Sequence, residues 1–392
     1  MGAPSRARVV VTGIGAVTPL GPTADTTWQR IVRGESALRE WPDLAADGHR
    51  VVRACRIADV DVPEVRRGRA LALIAAREAI RQAWSDDMPD GAGAGVFIGS
   101  TLGESAAFEC AGAGGTIELD DFGMASFHDG VAAEFGLTGP REAIATACAA
   151  GNFAIGAALR ALRQGRARWA LAGGVEPFSR LSMVGFARSR AMASDQCRPF
   201  DARRSGMSLG EGSAMLVLER LDAALARGAT PLAEVMGLGV SSDAYHPTAP
   251  RPDGRGMCRA MQGALSAAGI APDMVDWVNV HGTGTRASDA AEGRALHEVF
   301  DGVPMPLLSG SKGALGHALG AAAAIEAVVS VCGLRHGVVP PTHGHEEADA
   351  EIACALTHEC TAPPQRALSV VLSTAFAFGG INSALVMRRW PC

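Results

Sequence analysis

The chain has 392 residues, 48% of them hydrophobic and 20% charged, and a formal net charge of −5. This length allows one duplicated domain or two ordinary ones, and the negative charge argues against a nucleic-acid-binding protein. Because neither a run of about 18 apolar residues nor an apolar signal segment is found, we expect no membrane partner and a cytoplasmic location.

Cysteine and lysine usage adds two expectations. The nine cysteines have no CxxC spacing, which argues against a metal site and a disulfide framework and fits a reducing compartment. The chain has 35 arginines but a single lysine, Lys312. Lys312 is therefore a candidate for a task that needs a compact ammonium group rather than a guanidinium.

The first half of the chain alternates between strands and helices. Strands are predicted at residues 8–12, 95–100, 144–146, 168–172 and 212–219. Helices are predicted at residues 23–33, 68–84, 126–135, about 148–164 and 220–227. Residues 36–66 and 111–121 are predicted to be irregular, and the glycine pair at 173–174 is expected to end the strand before it.

The second half repeats this pattern. Strands are predicted at residues 233–240, 277–280, 306–309, 367–373 and 382–388, and helices at 256–268, 287–300 and 318–334. Strands that alternate with helices and are apolar on both faces predict an α/β protein with largely parallel sheets.

The two halves resemble each other at one place. Each has a short strand, a loop of small residues with a reactive side chain, and an Ala-rich helix; the side chains are Cys148 and His317. A tandem duplication would bring both helices to the centre, with the two side chains facing each other. We therefore divide the chain into 1–230, with the cysteine, and 231–392, with the histidines.

Cys148 is predicted to lie at the first turn of its helix. Free N–H groups and the positive end of the helix dipole face a side chain at that place. Such a field favours the thiolate and predicts a lowered cysteine pKa, which makes the sulfur a nucleophile. The alternative is a buried, unreactive cysteine, which is the common case for free cysteines.

Three later segments are also unusual. They are a strand that stops at His281, a Gly-rich loop from Lys312 to His317, and a strand end with two aromatic residues and two glycines at 376–380. Taken singly, each of these histidines is more often structural than catalytic.

Together these segments resemble a known family. TACAAG at 146–151, HGTGT at 281–285, KGALGH at 312–317 and FAFGG at 376–380 are similar to the four signature blocks of the β-ketoacyl-acyl carrier protein synthases. The similarity is to the elongating branch, which has one cysteine and two histidines. It runs in family order over nearly the whole chain and implies the thiolase-like, duplicated five-layer αβαβα fold.

The resemblance implies a decarboxylative Claisen condensation that needs no cofactor and no metal. Cys148 would carry the acyl chain, and the backbone N–H groups of Cys148 and Phe378 would hold the thioester oxyanion. His281 and His317, as neutral rings, would stabilise the enolate formed when a malonyl thioester loses CO₂. The chain would grow by two carbons, in fatty-acid or in polyketide or polyene synthesis.

The remaining site residues also follow from the resemblance. Lys312 would orient the His317 loop and form a buried ion pair with Glu326. Phe378 would be the gate between the acyl pocket and the malonyl site. Substrate contacts are implied for four residues: Thr283, Thr285, Phe376 and Gly379.

The sequence departs from the family pattern at several positions. Ala377 stands where the family usually has glycine, so a stiffer or differently posed gate is expected. Other departures are Arg286 for proline, Gly313 for serine and Ile381 for threonine. These departures favour a specialised pathway over a housekeeping role, without deciding between them.

Two questions of partnership remain open in the sequence. The resemblance implies an acyl carrier protein with a phosphopantetheine arm as substrate carrier, and Arg203, Arg204 and Arg286 are candidate contacts for it. It also implies a dimer, either a homodimer or a heterodimer with a chain-length-factor-like subunit. A catalytically silent partner subunit is the alternative function, but Cys148 and both histidines argue against it. A thiolase is disfavoured because residues 376–380 contain no second cysteine.

Overall fold

The computed structural model describes residues 7–85, 87–116, 118 and 123–391. The strands are β1 Val9–Val17, β2 Arg39–Glu40, β3 Arg53–Ala54, β4 Gly95–Gly99, β5 Arg141–Ile144, β6 Trp169–Glu176, β7 Gly212–Arg220, β8 Ala233–Ser242, β9 Trp277–Asn279, β10 Leu307–Ser309, β11 Val370–Ala377 and β12 Ile381–Arg389. The helices are α1 Ala24–Val32, α2 Pro42–Ala46, α3 Arg67–Trp84, α4 Ser105–Gly112, α5 Ala125–Phe135, α6 Ala150–Arg163, α7 Arg180–Arg188, α8 Leu221–Ala226, α9 Arg255–Ala268, α10 Arg286–Val299, α11 Lys312–Leu315 and α12 Leu319–His336.

Ten of these strands form one mixed sheet in the order β10-β9-β11-β12-β8-β1-β7-β6-β4-β5. The outer strands β5, β4 and β6 are parallel, as are β10, β9 and β11. The inner strands β7, β1, β8 and β12 pair antiparallel. The prediction of largely parallel sheets is therefore wrong at the centre, where neighbouring strands run in opposite directions.

The strand order repeats between the two halves of the chain. Each half places its third strand at the edge, followed by its second, fourth, fifth and first: β5-β4-β6-β7-β1 and β10-β9-β11-β12-β8. The halves meet where β1 pairs with β8, at Val9–Val235, Val10–Glu234 and Val11–Ala233. This topology is that of a duplicated fold; the boundary between 1–230 and 231–392 stays a prediction.

Two central helices account for the layers. Helices α6 and α12 contact strands of both halves, while α3 covers β1 and β7 and α9 covers β8 and β12 on the outside. A Cβ added at Gly151 on α6 would lie 2.5 Å from the backbone nitrogen of Ala324 on α12. The two backbones approach this closely because both helices carry small residues, and the resulting order is αβαβα.

Helix α12 is enclosed by the rest of the molecule. It has the length and the mean hydropathy, 1.3, of a membrane-spanning helix, but 89% of that window is buried within the protein. Such burial is typical of a core helix, since a helix that is apolar all round needs protein neighbours.

Some predicted element bounds are wrong. Strand β6 runs through Gly173 and Gly174 to Glu176, because these glycines serve close packing rather than a turn: a Cβ at Gly174 would lie 2.8 Å from the Gly320 carbonyl oxygen. Helices α4 and α7 were not predicted, and α4 extends into the segment predicted as a loop at 111–121. Residues 117 and 119–121 of that loop lie outside the described residues.

Candidate active site

The segments predicted from the sequence to be functional meet at one cavity. Cys148 lies in a single 3₁₀ turn, Ala147–Ala149, just before α6, and His317 lies two residues before α12. His281 follows β9 and Phe378 follows β11. All four side chains line a cavity of about 260 Å³, which places them at the N-terminal ends of the two central helices.

The two imidazole rings lie side by side in this cavity. Their centroids are 5.5 Å apart and the ring planes are nearly perpendicular, at 83°. Burial, together with the positive charge of Lys312, holds the pKa of both His281 and His317 well below the usual value. Both rings are therefore neutral at pH 7, and each carries one N–H group that can donate to a substrate oxygen.

Lys312 and Glu326 form the predicted ion pair. The Lys312 ammonium lies 2.5 Å from the Glu326 carboxylate and donates a second hydrogen bond, of 2.6 Å, to the carbonyl oxygen of His281. Both side chains are 1% exposed. Burial raises the pKa of Glu326 to about 7, and the Lys312 charge opposes this rise. Lys312 thus joins the His281 segment to helix α12.

Two carboxylates that sequence reasoning missed hold the His281 loop. Glu292 accepts hydrogen bonds from the backbone N–H groups of His281 and Gly282, and Asp289 accepts from Gly284. Both carboxylates are buried on α10 and three residues apart, so they share one face of the helix. That spacing, directly after a Gly-rich loop, was the available signal.

The Cys148 thiol is enclosed and protonated in the resting protein. Burial raises its pKa to about 11, although Lys312 and the backbone N–H groups of Phe378 and Cys148 itself act to lower it. The prediction of a lowered pKa is therefore wrong for this state. Cys148 is only 7% exposed, and this burial outweighs the favourable field at the helix end.

Two backbone N–H groups lie beside the sulfur. The N–H of Phe378 and the N–H of Cys148 both approach the Cys148 sulfur. Two converging N–H groups beside a nucleophile are the arrangement that holds a developing oxyanion on an attacked carbonyl.

Phe378 lies at the surface end of the cavity. It is 37% exposed, and its ring lies 5.6 Å from that of Phe186. Gly379, the next residue, has φ +82 and donates a 2.7 Å hydrogen bond to the carbonyl oxygen of Pro247. Ala377 is in an ordinary extended conformation, so alanine is accommodated there without backbone strain.

The other predicted substrate contacts lie in the same cavity. Thr283, Thr285 and Phe376 line it, and the two threonine hydroxyls are 2.9 Å apart. The Phe376 ring lies 5.9 Å from that of His281.

Two of the candidate carrier-docking arginines form ion pairs within the protein. Arg204 is buried and bonds to Asp349 at 2.5 Å, so its proposed docking role is wrong: it cannot meet a partner at the surface. Arg203 is half exposed but pairs with Glu346 at 2.6 Å. Arg286 is exposed at the start of α10, beside cavity-lining Ala287.

Comparison with known families assigns the chain. The β-ketoacyl synthase N-terminal domain matches residues 6–224, and the β-ketoacyl synthase C-terminal domain matches residues 232–346. The chain belongs to the β-ketoacyl synthase family.

Similar proteins agree with this assignment. The synthase is 36% identical to 3-oxoacyl-[acyl-carrier-protein] synthase 2 of Rhizobium meliloti (strain 1021), covering 98% of this chain and 99% of that protein. The ishigamide ketosynthase/chain length factor has a TM-score of 0.89 at 32% identity, covering 98% of this chain and 100% of that one. A type II polyketide ketosynthase in complex with its acyl carrier protein has a TM-score of 0.88 at 30% identity, covering 98% and 100%.

These matches confirm the thiolase-like fold and the reaction class predicted from the sequence. The chain is an acyl-transferring condensing enzyme, a β-ketoacyl-acyl carrier protein synthase. The predicted silent-subunit alternative has no better support.

Proposed function

We propose that Cys148, His281 and His317 carry the two half-reactions of the condensation. In the first, the Cys148 sulfur bonds to the carbonyl carbon of a carrier-bound acyl thioester. The carbon–sulfur bond of the donor then breaks, and the carrier thiol leaves with the Cys148 proton. The N–H groups of Cys148 and Phe378 stabilise the tetrahedral oxyanion.

In the second half-reaction, a malonyl thioester enters beside the acylated cysteine. Its carbon–carboxylate bond breaks, CO₂ leaves, and the electron pair forms an enolate. The neutral rings of His281 and His317 donate hydrogen bonds to the enolate oxygen. The enolate carbon attacks the acyl carbon, the bond to Cys148 breaks, and a β-ketoacyl chain two carbons longer remains on the carrier.

The observation that carries this proposal is the placement of two adjacent imidazole rings, 5.5 Å apart, in one cavity with Cys148. An imidazolium would pair with the malonyl carboxylate and oppose its loss, whereas a neutral N–H donor becomes more favourable as charge develops on the enolate oxygen. Burial and the nearby Lys312 charge keep both rings neutral.

The decisive experiment separates loading from decarboxylation. Intact mass should show an acyl adduct on wild-type protein and none on Cys148→Ala. His281→Ala and His317→Ala should still load acyl groups but release CO₂ from malonyl carrier protein about 100-fold more slowly. Loading that survives in Cys148→Ala would refute the assignment of the nucleophile.

The same assay addresses the pathway. We propose that the acyl donor is a fatty-acid or polyketide chain on an acyl carrier protein. Saturated acyl, polyenoyl and poly-β-ketoacyl thioesters should be offered in parallel. The class that loads fastest indicates whether the enzyme acts in fatty-acid, polyene or polyketide synthesis.

We propose that the carrier protein docks at the mouth of the cavity and that the reaction takes place in the cytoplasm. Arg188 and Arg190 are exposed and alternate with the cavity-lining residues Ser189 and Ala191, and Arg286 is exposed next to the lining residue Ala287. An acidic carrier would be attracted to these cations. Arg188→Glu with Arg190→Glu should raise KM for carrier substrates but leave turnover of a small acyl thioester unchanged; an equal loss with both would argue against docking here.

We further propose a homodimer formed along strand β5. This strand is one edge of the sheet, and an open sheet edge readily pairs with another chain. Beside it lies an apolar groove with Phe153, Leu238 and Val240, of which Val240 is 51% exposed.

A further inference from the structure

Glu176 is a buried carboxylate that the condensation scheme does not use. It is the last residue of β6 and is 1% exposed. A buried carboxylate is retained only where hydrogen bonds or charges compensate for the water it has lost. Its hydrogen-bond partners therefore show which segments of the chain it stabilises.

Three backbone N–H groups from two distant segments converge on Glu176. Thr101 and Leu102, in the loop after β4, donate at 2.6 and 2.9 Å. Gly320, the second residue of α12, donates at 2.9 Å. Glu176 therefore links a loop of the first half of the chain to the start of the central helix of the second half.

Helix α12 has no capping group of its own. Its N-cap residue, Ala318, offers no side-chain hydrogen bond, and its first turn contains no acidic residue. The Glu176 carboxylate fills this place, because an acceptor with negative charge at a helix N-terminus satisfies a free N–H group and the helix dipole. Leu319, between His317 and Gly320, has φ +44, a conformation that surrounding contacts must hold.

The packing around this link is tight. A Cβ at Gly320 would lie 2.5 Å from both the Ser100 carbonyl carbon and the Thr101 backbone nitrogen. The start of α12 therefore cannot slide along the loop, and the turn that bears His317 is fixed relative to β6.

The three N–H groups also act on the carboxylate that they contact. Burial raises the pKa of Glu176 to about 7, and the backbone N–H groups of Thr101, Leu102 and Gly320 act against this rise. They therefore favour the charged form, which is the better helix cap.

We propose that Glu176 is a positioning residue for the condensation: it caps α12 and joins its first turn to the loop after β4, which fixes the segment that bears His317. This inference rests on the proposed roles of Cys148 and His317. Those roles are tested by their own alanine variants, so a failure there is distinguishable from a failure of Glu176.

The test compares Glu176→Asp with Glu176→Gln. The shorter side chain of Glu176→Asp withdraws the acceptor from the Gly320 N–H group, whereas Glu176→Gln keeps one acceptor oxygen. Glu176→Asp should load acyl groups on Cys148 like wild type but decarboxylate malonyl carrier protein about tenfold more slowly, in kcat rather than in KM. Glu176→Gln should lose less of this step.

Glu78→Gln is the matched control, because Glu78 also accepts from a helix start, the Ala24 N–H, but lies outside the cavity. It should lose comparable stability without changing acyl loading or decarboxylation. A folded Glu176→Asp that decarboxylates malonyl carrier protein like wild type would overturn the proposal. So would the failure of both Glu176 variants to fold, which would make Glu176 a residue of global stability.

Discussion

Lys312 is the residue on which the electrostatics of the cavity depend. Its ammonium group is enclosed between Glu326 and the His281 carbonyl, and its charge acts on both histidines, Cys148 and Glu326. A guanidinium, being planar and larger, would not fit the same pair of contacts. This explains a lysine here in a chain that otherwise uses arginine.

Removal of Lys312 should destabilise the protein through the carboxylate left behind. We expect Lys312→Met to lower the free energy of unfolding by about 3 kcal/mol, since Glu326 then lies buried without its partner. Adding Glu326→Leu should recover part of that loss. Urea unfolding measures both; a single variant as stable as wild type would contradict the role of the pair.

The Cys148 pKa gives a second prediction. With a pKa of about 11, the thiolate fraction grows about tenfold for each pH unit from 7 to 10. Iodoacetamide labelling of Cys148, followed by peptide mass spectrometry with Cys148→Ala as background, should rise accordingly. A plateau reached by pH 8 would instead support the lowered pKa expected from the helix end alone.

The sequence allowed the reactive residues to be found but not their environment. Cys148, His281 and His317 stand in recognisable local patterns. Asp289, Glu292 and Glu176 act through backbone N–H groups of segments that only the fold brings near, and the burial that sets the Cys148 pKa is likewise a property of the assembled core.

Among the secondary-structure elements, α6 and α12 decide the geometry of the site. Their N-terminal ends carry Cys148 and precede His317, so the separation of the helices sets the separation of the reactive groups. Gly151 permits the close approach to Ala324.

A substitution at Gly151 should therefore affect both stability and activity. Gly151→Ala should cost about 1–3 kcal/mol, because the new methyl group meets backbone atoms of α12 that cannot rotate away. Gly263→Ala is the matched control: this helical glycine, on α9, has only the Gly239 Cα nearby, at 3.5 Å. It should be neutral or stabilising by up to about 1 kcal/mol. Similar thermal melts for the two variants would argue against tight packing at Gly151.

Element bounds were predicted best where periodicity was long. Helices α3 and α12 lie within about two residues of their predicted starts and ends. The prediction that Gly173-Gly174 ends the strand was wrong because glycine occurs both in turns and where two backbones pack closely. Only the residues that contact a glycine in the folded protein distinguish the two cases.

At the scale of the whole molecule, the repeated strand order accounts for how one site is built from two halves. Each half contributes an edge strand, a central helix and a reactive loop, and the halves join at β1 and β8. The sequence revealed this repeat through the loops of Cys148 and His317. It did not reveal the antiparallel centre, since pairing direction is set by tertiary contacts.

The proposed assembly gives the last prediction. Wild-type protein should have twice the 40.3 kDa chain mass in light scattering, and Val240→Glu should shift it toward the single chain, because a charge would be buried in the groove beside β5. Leu225→Glu, at an equally exposed residue outside the groove, should remain dimeric. A wild-type monomer would instead favour a heterodimer with another subunit.

The enclosure of the one lysine has a practical consequence. An amine-directed reagent would find no accessible side chain on the native protein, since Lys312 is 1% exposed. The extent of Lys312 acylation would therefore measure the fraction of molecules that have unfolded. The protein thus carries a natural probe of unfolding that needs no engineered label.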